Sequence, residues 1–120
     1  MFDTFKGKII IVTGHTGFKG SWLSLWLNQL GATFHGMSLY IPSNPSHFKV
    51  ANLSSQIVDH HLDIRDSESL SLLIQKIQPD FGLHMAAQAL VRPSYEDPIE
   101  TMTTNAIGSA NLLNALRQLD

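Results

Sequence analysis

The sequence predicts an α/β fold, a doubly wound parallel sheet with helices on both faces. One observation is a β-branched run at residues 8–13, typical of a strand buried on both sides of a parallel sheet. A second is the glycine-rich turn GHTGFKG, which leads into an apolar helix at 18–30 whose Trp22 and Trp26 are expected in the core. The third is the order β-α-β-β-α-β-α along the chain, which favours parallel strands joined by crossover helices.

The middle of the chain predicts the next two strands. Gly31 stands where a helix C-cap belongs, and residues 33–39 predict the second strand. A loop broken by two prolines and a short helical turn at 47–51 separate it from a third strand predicted at 56–62.

The second half predicts two longer helices around a fourth strand. Ser67–Ile77 carries leucine and isoleucine on one helical face, and residues 81–85 predict the strand that follows. Asp97 and Pro98 form an N-cap and first-turn pair, from which one helix is predicted to about residue 119. Its inner face is expected to hold Ile99, Met102, Thr103, Ala106, Ala110 and Leu113. No strand is predicted beyond it, so the fold is expected to be truncated after the fourth helix.

The composition excludes several classes of function. A net charge of −2, with 15% charged residues, gives no basic excess for binding nucleic acid or an anionic membrane. The absence of cysteine excludes disulfides and thiolate metal sites. The N-terminus lacks the residue order of a signal peptide, and no apolar run approaches the roughly 20 residues of a membrane span. We therefore expect a cytoplasmic protein without nucleic-acid or membrane partners.

Three glycines at a spacing of three, Gly14, Gly17 and Gly20, mark the first strand-to-helix turn. Glycine in such a turn lets a pyrophosphate approach the backbone, and the helix N-terminus supplies free N–H groups and a positive dipole end. The order Lys-Gly-Ser after the turn excludes a Walker phosphate loop, which needs Gly-Lys-Ser. A plain turn is the alternative, but the position within a βαβ unit favours a dinucleotide-binding turn.

Longer blocks give a specific resemblance. The motifs TGHTGFKG, DIRD, HMAAQ, VRPSYEDP and TNAIGSANLLNALR follow one another along the chain. On these motifs the chain resembles the extended short-chain dehydrogenase/reductase family, and within it most of all the nucleotide-sugar 4,6-dehydratases. The resemblance implies a Rossmann-like NAD-binding fold and a lyase acting on CDP-glucose or a related sugar nucleotide. It also implies a homodimer and a role in supplying deoxysugars for polysaccharide biosynthesis.

The resemblance assigns a role to individual residues. The pyrophosphate turn would comprise Gly14, Thr16, Gly17, Phe18, Lys19 and Gly20. Asp63 would accept a hydrogen bond from the adenine amino group, with Ile64 against the ring. Met85, Ala86, Ala87 and Gln88 would line the nicotinamide-side ribose. Gln88, Arg92 and Ser94 would face the sugar nucleotide, and Asn105 would support the site structurally.

Each role has a simpler alternative. Asp63 could serve only to cap or turn the chain, and Arg92, on a predicted polar loop, is more often solvated than bound to a ligand. The adjacent pair His60 and His61 lacks the spacing of metal ligands, so we predict no metal site.

The end of the second strand departs from the family pattern. An acidic residue there usually holds the adenine ribose, but this chain offers Ser38 or Tyr40, with no acid before Asp59. No arginine stands nearby to accept a 2′-phosphate, and Lys49 is the nearest cation after the strand. The preference for NAD over NADP therefore depends mainly on the resemblance.

The Tyr-xxx-Lys pair that the resemblance implies for catalysis is missing from these 120 residues. Four residues after Tyr40 is Asn44, and four after Tyr95 is Ile99. We therefore expect residues 1–120 to form the cofactor-binding portion, with no catalytic residue, no C-terminal substrate domain and no activity alone. Two alternatives stay open: a different epimerase or dehydratase of the same family, or an inactive nucleotide-binding fragment. The uncovered edge of the fourth strand is expected to promote self-association.

Overall fold

The computed structural model describes residues 2–119, which form a four-stranded sheet in the order β3-β2-β1-β4. The strands are β1 (Ile9–Thr13), β2 (Thr33–Ser38), β3 (Val58–His61) and β4 (Phe81–His84). Every neighbouring pair is parallel, with Ile9 opposite Thr33 in β2 and Ile10 opposite Phe81 in β4. The α/β prediction is confirmed.

Within residues 2–119, six α-helices connect and cover the strands. They are α1 (Phe18–Gln29), α2 (His47–Val50), α3 (Ser67–Ile77), α4 (Val91–Glu96), α5 (Pro98–Met102) and α6 (Gly108–Leu116). Short 3-10 turns lie at Phe2–Phe5 and Leu53–Ser55. The predicted N-cap is confirmed, because the Asp97 carboxylate accepts the Glu100 N–H at 2.9 Å. Gly31 directly follows the C-cap residue Leu30 of α1 and has the left-handed φ of +77°.

Two apolar clusters, one on each face of the sheet, form the core. Successive residues of a strand point to opposite faces, so Ile11 packs with α3 and α6 while Ile10 and Val12 pack with α1. The first cluster comprises Ile11, Met37, Ile64, Leu70, Ile74, Ile77, Leu112 and Ala115. The second comprises Ile10, Val12, Leu27, Ala32 and Phe34. Because β1 buries apolar side chains on both faces, helices must cover both sides of the sheet, which is the doubly wound arrangement.

The C-terminal helical region differs from its prediction. Residues 91–96, expected as a loop, form α4. The long helix predicted after Asp97 runs without a break from Pro98 to Leu116, but a π-helical turn at Thr103–Ile107 divides it into α5 and α6. This wider turn rotates the helix, so the buried positions of α6 are Gly108, Leu112 and Ala115. Leu113, predicted to face inward, is 67% exposed on α6, and Ile99 and Met102 are 74% and 62% exposed on α5, which has no buried residue.

The two tryptophans of α1 are not core residues, contrary to the prediction. Trp22 and Trp26 are each about half exposed, at 51% and 52%. Small residues, Gly20, Ser21 and Ser24, cover the buried face of α1, because this helix begins very close to the end of β1. A tryptophan has no room there, and Trp22 stacks on His47 at a centroid distance of 4.1 Å instead.

The strand order creates a crevice at the carboxyl ends of β1 and β4. From β1 the chain moves to β2 and β3 on one side, and it returns to β4 on the other. The chain connections on the two sides of β1 and β4 therefore run in opposite directions. In open α/β sheets, ligands bind in the crevice at such a switch point. Within residues 2–119, no helix has the length and apolar character needed to cross a membrane.

Candidate functional site

A cleft opens at this carboxyl edge of the sheet. Five segments line it: the glycine-rich turn, residues 37–42 at the end of β2 and beyond it, the DIRD turn after β3, the segment after β4, and Glu100 and Thr104 of the last helical region. The structure brings nine of the twelve predicted cofactor residues together there: Gly14, Thr16, Gly17, Asp63, Ile64, Met85, Ala86, Ala87 and Gln88.

The other predicted residues lie outside the cleft lining. Phe18 is 74% exposed at the start of α1, Lys19 is exposed beside it, and Gly20 is buried behind the turn. Arg92 and Ser94 lie on α4, where Arg92 donates to Glu96 at 3.0 Å within the same helix. Neither Arg92 nor Ser94 is among the residues that line the cleft.

The glycine turn allows two backbone segments to approach closely. Gly14 has a φ of +73°, and a Cβ there would lie 2.6 Å from the Ala86 nitrogen. A Cβ on Gly20 would lie 2.8 Å from the His15 Cα and collide with the Gly14 carbonyl. Gly17 is the N-cap of α1 and supplies no side-chain cap, which leaves this helix end suited to an anion.

A hydrogen-bond chain across the switch point ties β1 to β4 and α6. Thr13, fully buried, accepts the Met85 and Ala86 N–H groups at its Oγ1, each at 3.1 Å. Its hydroxyl proton is therefore directed to His84 Nδ1 at 2.6 Å. This assignment leaves His84 Nε2 to donate to the Ser109 hydroxyl at 2.8 Å. The sequence did not predict this hydrogen-bond chain, because its partners lie 71 and 25 residues apart.

The segment after β4 is held by Asn105 on the π-helical turn. The Gln88 N–H donates to Asn105 Oδ1 at 2.8 Å, and Asn105 Nδ2 donates to the Gln88 carbonyl at 2.9 Å. The Gln88 side-chain amide donates to Leu90 O at 3.0 Å and to Thr101 Oγ1 at 3.1 Å. These bonds fix the cleft wall that the resemblance assigns to the nicotinamide side.

The DIRD turn is built around the carboxylate of Asp63. Both of its oxygens accept Arg65 Nε, at 3.0 and 2.9 Å, and Oδ2 also accepts Nη2 at 2.6 Å. The Arg65 backbone N–H donates to Oδ1 at 2.9 Å, so the turn-forming role considered as the simpler alternative is present. These bonds from Arg65 hold the pKa of the Asp63 carboxyl below its usual range.

His15, inside the glycine motif, is a buried residue whose role the motif did not predict. Its side chain has no exposed surface, and its ring nitrogens lie 2.8 Å from Asp59 Oδ1 and 3.0 Å from Ser38 Oγ. The ring fits because Gly36 has no Cβ, which would stand 2.7 Å from Nε2. Burial lowers the pKa of His15, and the Asp59 carboxylate offsets part of that effect. The Ser38 hydroxyl, one of the groups that could have met the adenine ribose, is therefore hydrogen-bonded to His15 within the protein.

The GDP-mannose 4,6 dehydratase family model matches residues 11–120. The chain belongs to this family. It is 50% identical to a CDP-glucose 4,6-dehydratase of Salmonella typhimurium, over 96% of the chain and 32% of that relative. A GDP-mannose 4,6-dehydratase of Vibrio cholerae is 31% identical over 93% of the chain and 32% of its own length. The chain thus spans about a third of the curated relatives it matches, and the expected likeness to nucleotide-sugar 4,6-dehydratases is confirmed.

Solved structures agree on the fold. The UDP-glucose 4-epimerase of Thermus thermophilus, solved as a complex with NAD, superposes with a TM-score of 0.81 at 31% identity. The match covers 92% of the chain and 34% of that protein. A UDP-glucose-4-epimerase of Stenotrophomonas maltophila with bound NAD gives a TM-score of 0.80 at 28% identity, covering 92% of the chain and 33% of that protein.

Alanine substitutions at two left-handed glycines should separate backbone strain from crowding. Gly7→Ala at φ +70°, with no atom within 4 Å of its Cβ, should cost only the strain of about 1–2 kcal/mol. Gly14→Ala at φ +73° should cost about 1–3 kcal/mol more, because its Cβ meets the Ala86 backbone. Urea unfolding of both variants measures the difference, and equal losses of stability would contradict the crowding at Gly14.

Acid should destabilise the fold before any carboxylate titrates. Burial lowers the pKa of His15, His35, His60 and His84, so the unfolded chain takes up protons first as the pH falls. The free energy of unfolding should therefore fall between about pH 7.5 and 5.5, on either side of the histidine pKa of about 6.5. Urea unfolding across this range measures the slope, which His15→Asn should make shallower. A rise in stability toward pH 5.5 would be incompatible with these shifts.

Proposed function

We propose that the cleft binds NAD. The observation that carries this proposal is the close approach of the glycine turn to the segment after β4, where a Cβ at Gly14 would strike Met85 and Ala86. A turn this crowded, followed by a helix with no side-chain cap, fits a pyrophosphate better than it fits a plain connection. The two NAD complexes among the structural relatives support the same assignment.

The cleft residues divide among the parts of the dinucleotide. Gly14, Gly17 and the first N–H groups of α1, from Phe18 to Gly20, hold the pyrophosphate. Asp63 and Ile64 hold the adenine. The segment from Met85 to Gln88 meets the nicotinamide-side ribose, with Asn105 supporting it. Bound NAD supplies an acceptor that takes up a hydride and gives it back.

The charges around the cleft favour NAD over NADP. Arg65 is the only lysine or arginine among the described residues that line the cleft. Its guanidinium is paired with the Asp63 carboxylate and lies 3.8 Å from the Glu100 carboxylate. A 2′-phosphate would need a cation that is not already neutralised in this way. Asp59, the first acid after β2, faces His15 and is not in the lining.

For the whole protein we propose dehydration of CDP-glucose to a 4-keto-6-deoxy sugar nucleotide, in the cytoplasm, for deoxysugar and polysaccharide biosynthesis. The 50% identity to a CDP-glucose 4,6-dehydratase supports this reaction. Residues 1–120 would contribute the cofactor-binding part, and Arg92 and Ser94 on α4 would face the sugar nucleotide. A homodimer would bury exposed apolar residues of α4 to α6, among them Val91, Tyr95, Ile99, Met102 and Leu113.

A second candidate is a sugar-nucleotide 4-epimerase. The UDP-glucose 4-epimerase from Thermus thermophilus favours it, because its fold matches over 92% of the chain. The two reactions differ in outcome, since an epimerase keeps the C6 hydroxyl group that a 4,6-dehydratase eliminates.

Calorimetric titration of the chain with NAD, and with NADP as the comparison, tests the cofactor. We expect saturable binding of NAD that is tighter than binding of NADP. Gly17→Val, which adds bulk 3.3 Å from the Gly14 carbonyl oxygen, should weaken NAD binding about tenfold or more. Equal or preferential binding of NADP would contradict the proposed cofactor.

Product analysis tests the reaction. The isolated chain should bind NAD without consuming CDP-glucose, because neither of its tyrosines is followed four residues later by lysine. A full-length protein that contains this segment should convert CDP-glucose, in a panel of nucleotide sugars, to a product that has lost water. Turnover by the isolated chain, or a product that differs only in the configuration at C4, would overturn the assignment.

A further inference from the structure

The Asp63 carboxylate is held more tightly than a simple binding residue requires. Arg65 reaches it with three N–H groups, one from its backbone and two from its guanidinium, at 2.6 to 3.0 Å. A bidentate guanidinium fixes the plane of a carboxylate as well as its position. The same guanidinium lies 3.8 Å from Glu100 on α5, which limits its own freedom.

The turn that carries Asp63 is also anchored from behind by α6. Asn111 donates to the carbonyl oxygens of Ile64 and Arg65, at 3.1 and 3.2 Å. Ile64 packs so closely on Gly108 that a Cβ there would lie 2.6 Å from its Cδ1. Hydrogen bonds and close packing therefore hold both the backbone and the carboxylate of this turn.

The bonds from Arg65 leave room for about one more donor. A carboxylate offers roughly four lone-pair directions, and the three N–H groups of Arg65 occupy most of them. Because Arg65 lowers the pKa of Asp63, the group remains ionised and accepts hydrogen bonds only. The cleft thus presents one fixed acceptor to whatever base lies beside Ile64.

We propose that Arg65 is a positioning residue that makes Asp63 select a 6-aminopurine and reject a 6-oxopurine. This inference rests on the proposed binding of NAD. An adenine amino group donates to the single open direction of the carboxylate. A hypoxanthine presents an oxygen to the same position, and it is repelled. The neighbouring N1–H of hypoxanthine could be reached only by a carboxylate that is free to turn.

Removal of the guanidinium should release both constraints. The carboxylate could then rotate toward N1–H, and burial would raise its pKa, so that the protonated acid could donate to a 6-oxo group. The charged groups around Asp63 are Arg65 and Asp66 on its own turn and Glu100 on α5, which meets Arg65. With Arg65 gone, the remaining charges are negative and favour the protonated acid further.

Calorimetric titration of the chain with NAD and with nicotinamide hypoxanthine dinucleotide, at pH 7.5 and pH 5.5, tests this proposal. Wild type should prefer NAD by about tenfold or more at both pH values. In Arg65→Met that preference should fall severalfold, and it should fall further at pH 5.5 than at pH 7.5. Arg65→Lys keeps the charge without the planar fork and should lie between the two.

Arg117→Met is the matched control, since Arg117 is exposed on the last helical turn and donates to Asn114 at 2.8 Å. It should keep the wild-type preference. Wild-type selectivity in Arg65→Met at both pH values would overturn the inference while leaving NAD binding intact. If circular dichroism shows that Arg65→Met is unfolded, Arg65→Lys decides, and a wild-type preference there overturns the inference. Wild type that binds neither dinucleotide would refute the proposed function and this inference with it.

Discussion

The close approach of the β1 end to the segment after β4 is the constraint on which the rest of the cleft depends. Gly14 provides the space and Thr13 provides the acceptor, because its hydroxyl takes the N–H groups of Met85 and Ala86. A larger residue at Gly14 would push the two strands apart at the switch point, where the ligand crevice of an α/β sheet forms. The glycine motif is therefore a packing requirement as well as a phosphate-binding device.

Polar side chains, more than apolar ones, fix the orientation of the cleft walls. The apolar clusters hold the helices against the sheet, but they do not specify where a loop ends beyond its strand. That precision comes from Asn105 on Gln88, from Asn111 behind the DIRD turn and from His84 between Thr13 and Ser109. Each bond joins a cleft segment to the helical region from the π turn to α6. This region thus supports both the adenine and the nicotinamide ends of the proposed site.

Three histidine rings lie in or beside the sheet, where burial favours their uncharged form. His15 is enclosed between Asp59 and Ser38, and His35 and His60 meet across β2 and β3 at 3.0 Å. Burial lowers the pKa of all three rings, so the neutral forms are the ones that fit the fold. Within residues 2–119 no group of three or more potential ligands suited to a metal is found, and these rings bond to protein partners.

The sequence by itself determined the strands, their parallel direction and the place of the glycine turn, since hydrophobic periodicity and glycine spacing are local signals. It also placed Asp63, Met85 and Gln88 at strand ends that share one edge, and the resemblance to a family supplied their proposed roles. Only the tertiary structure decided which face of the last helix is buried, because a π turn that no local pattern marks rotates it. It likewise decided the positions of Trp22 and Trp26 and the partners of His15, Arg65 and Asn111, because these depend on contacts between residues far apart in the chain or on the space left by close packing.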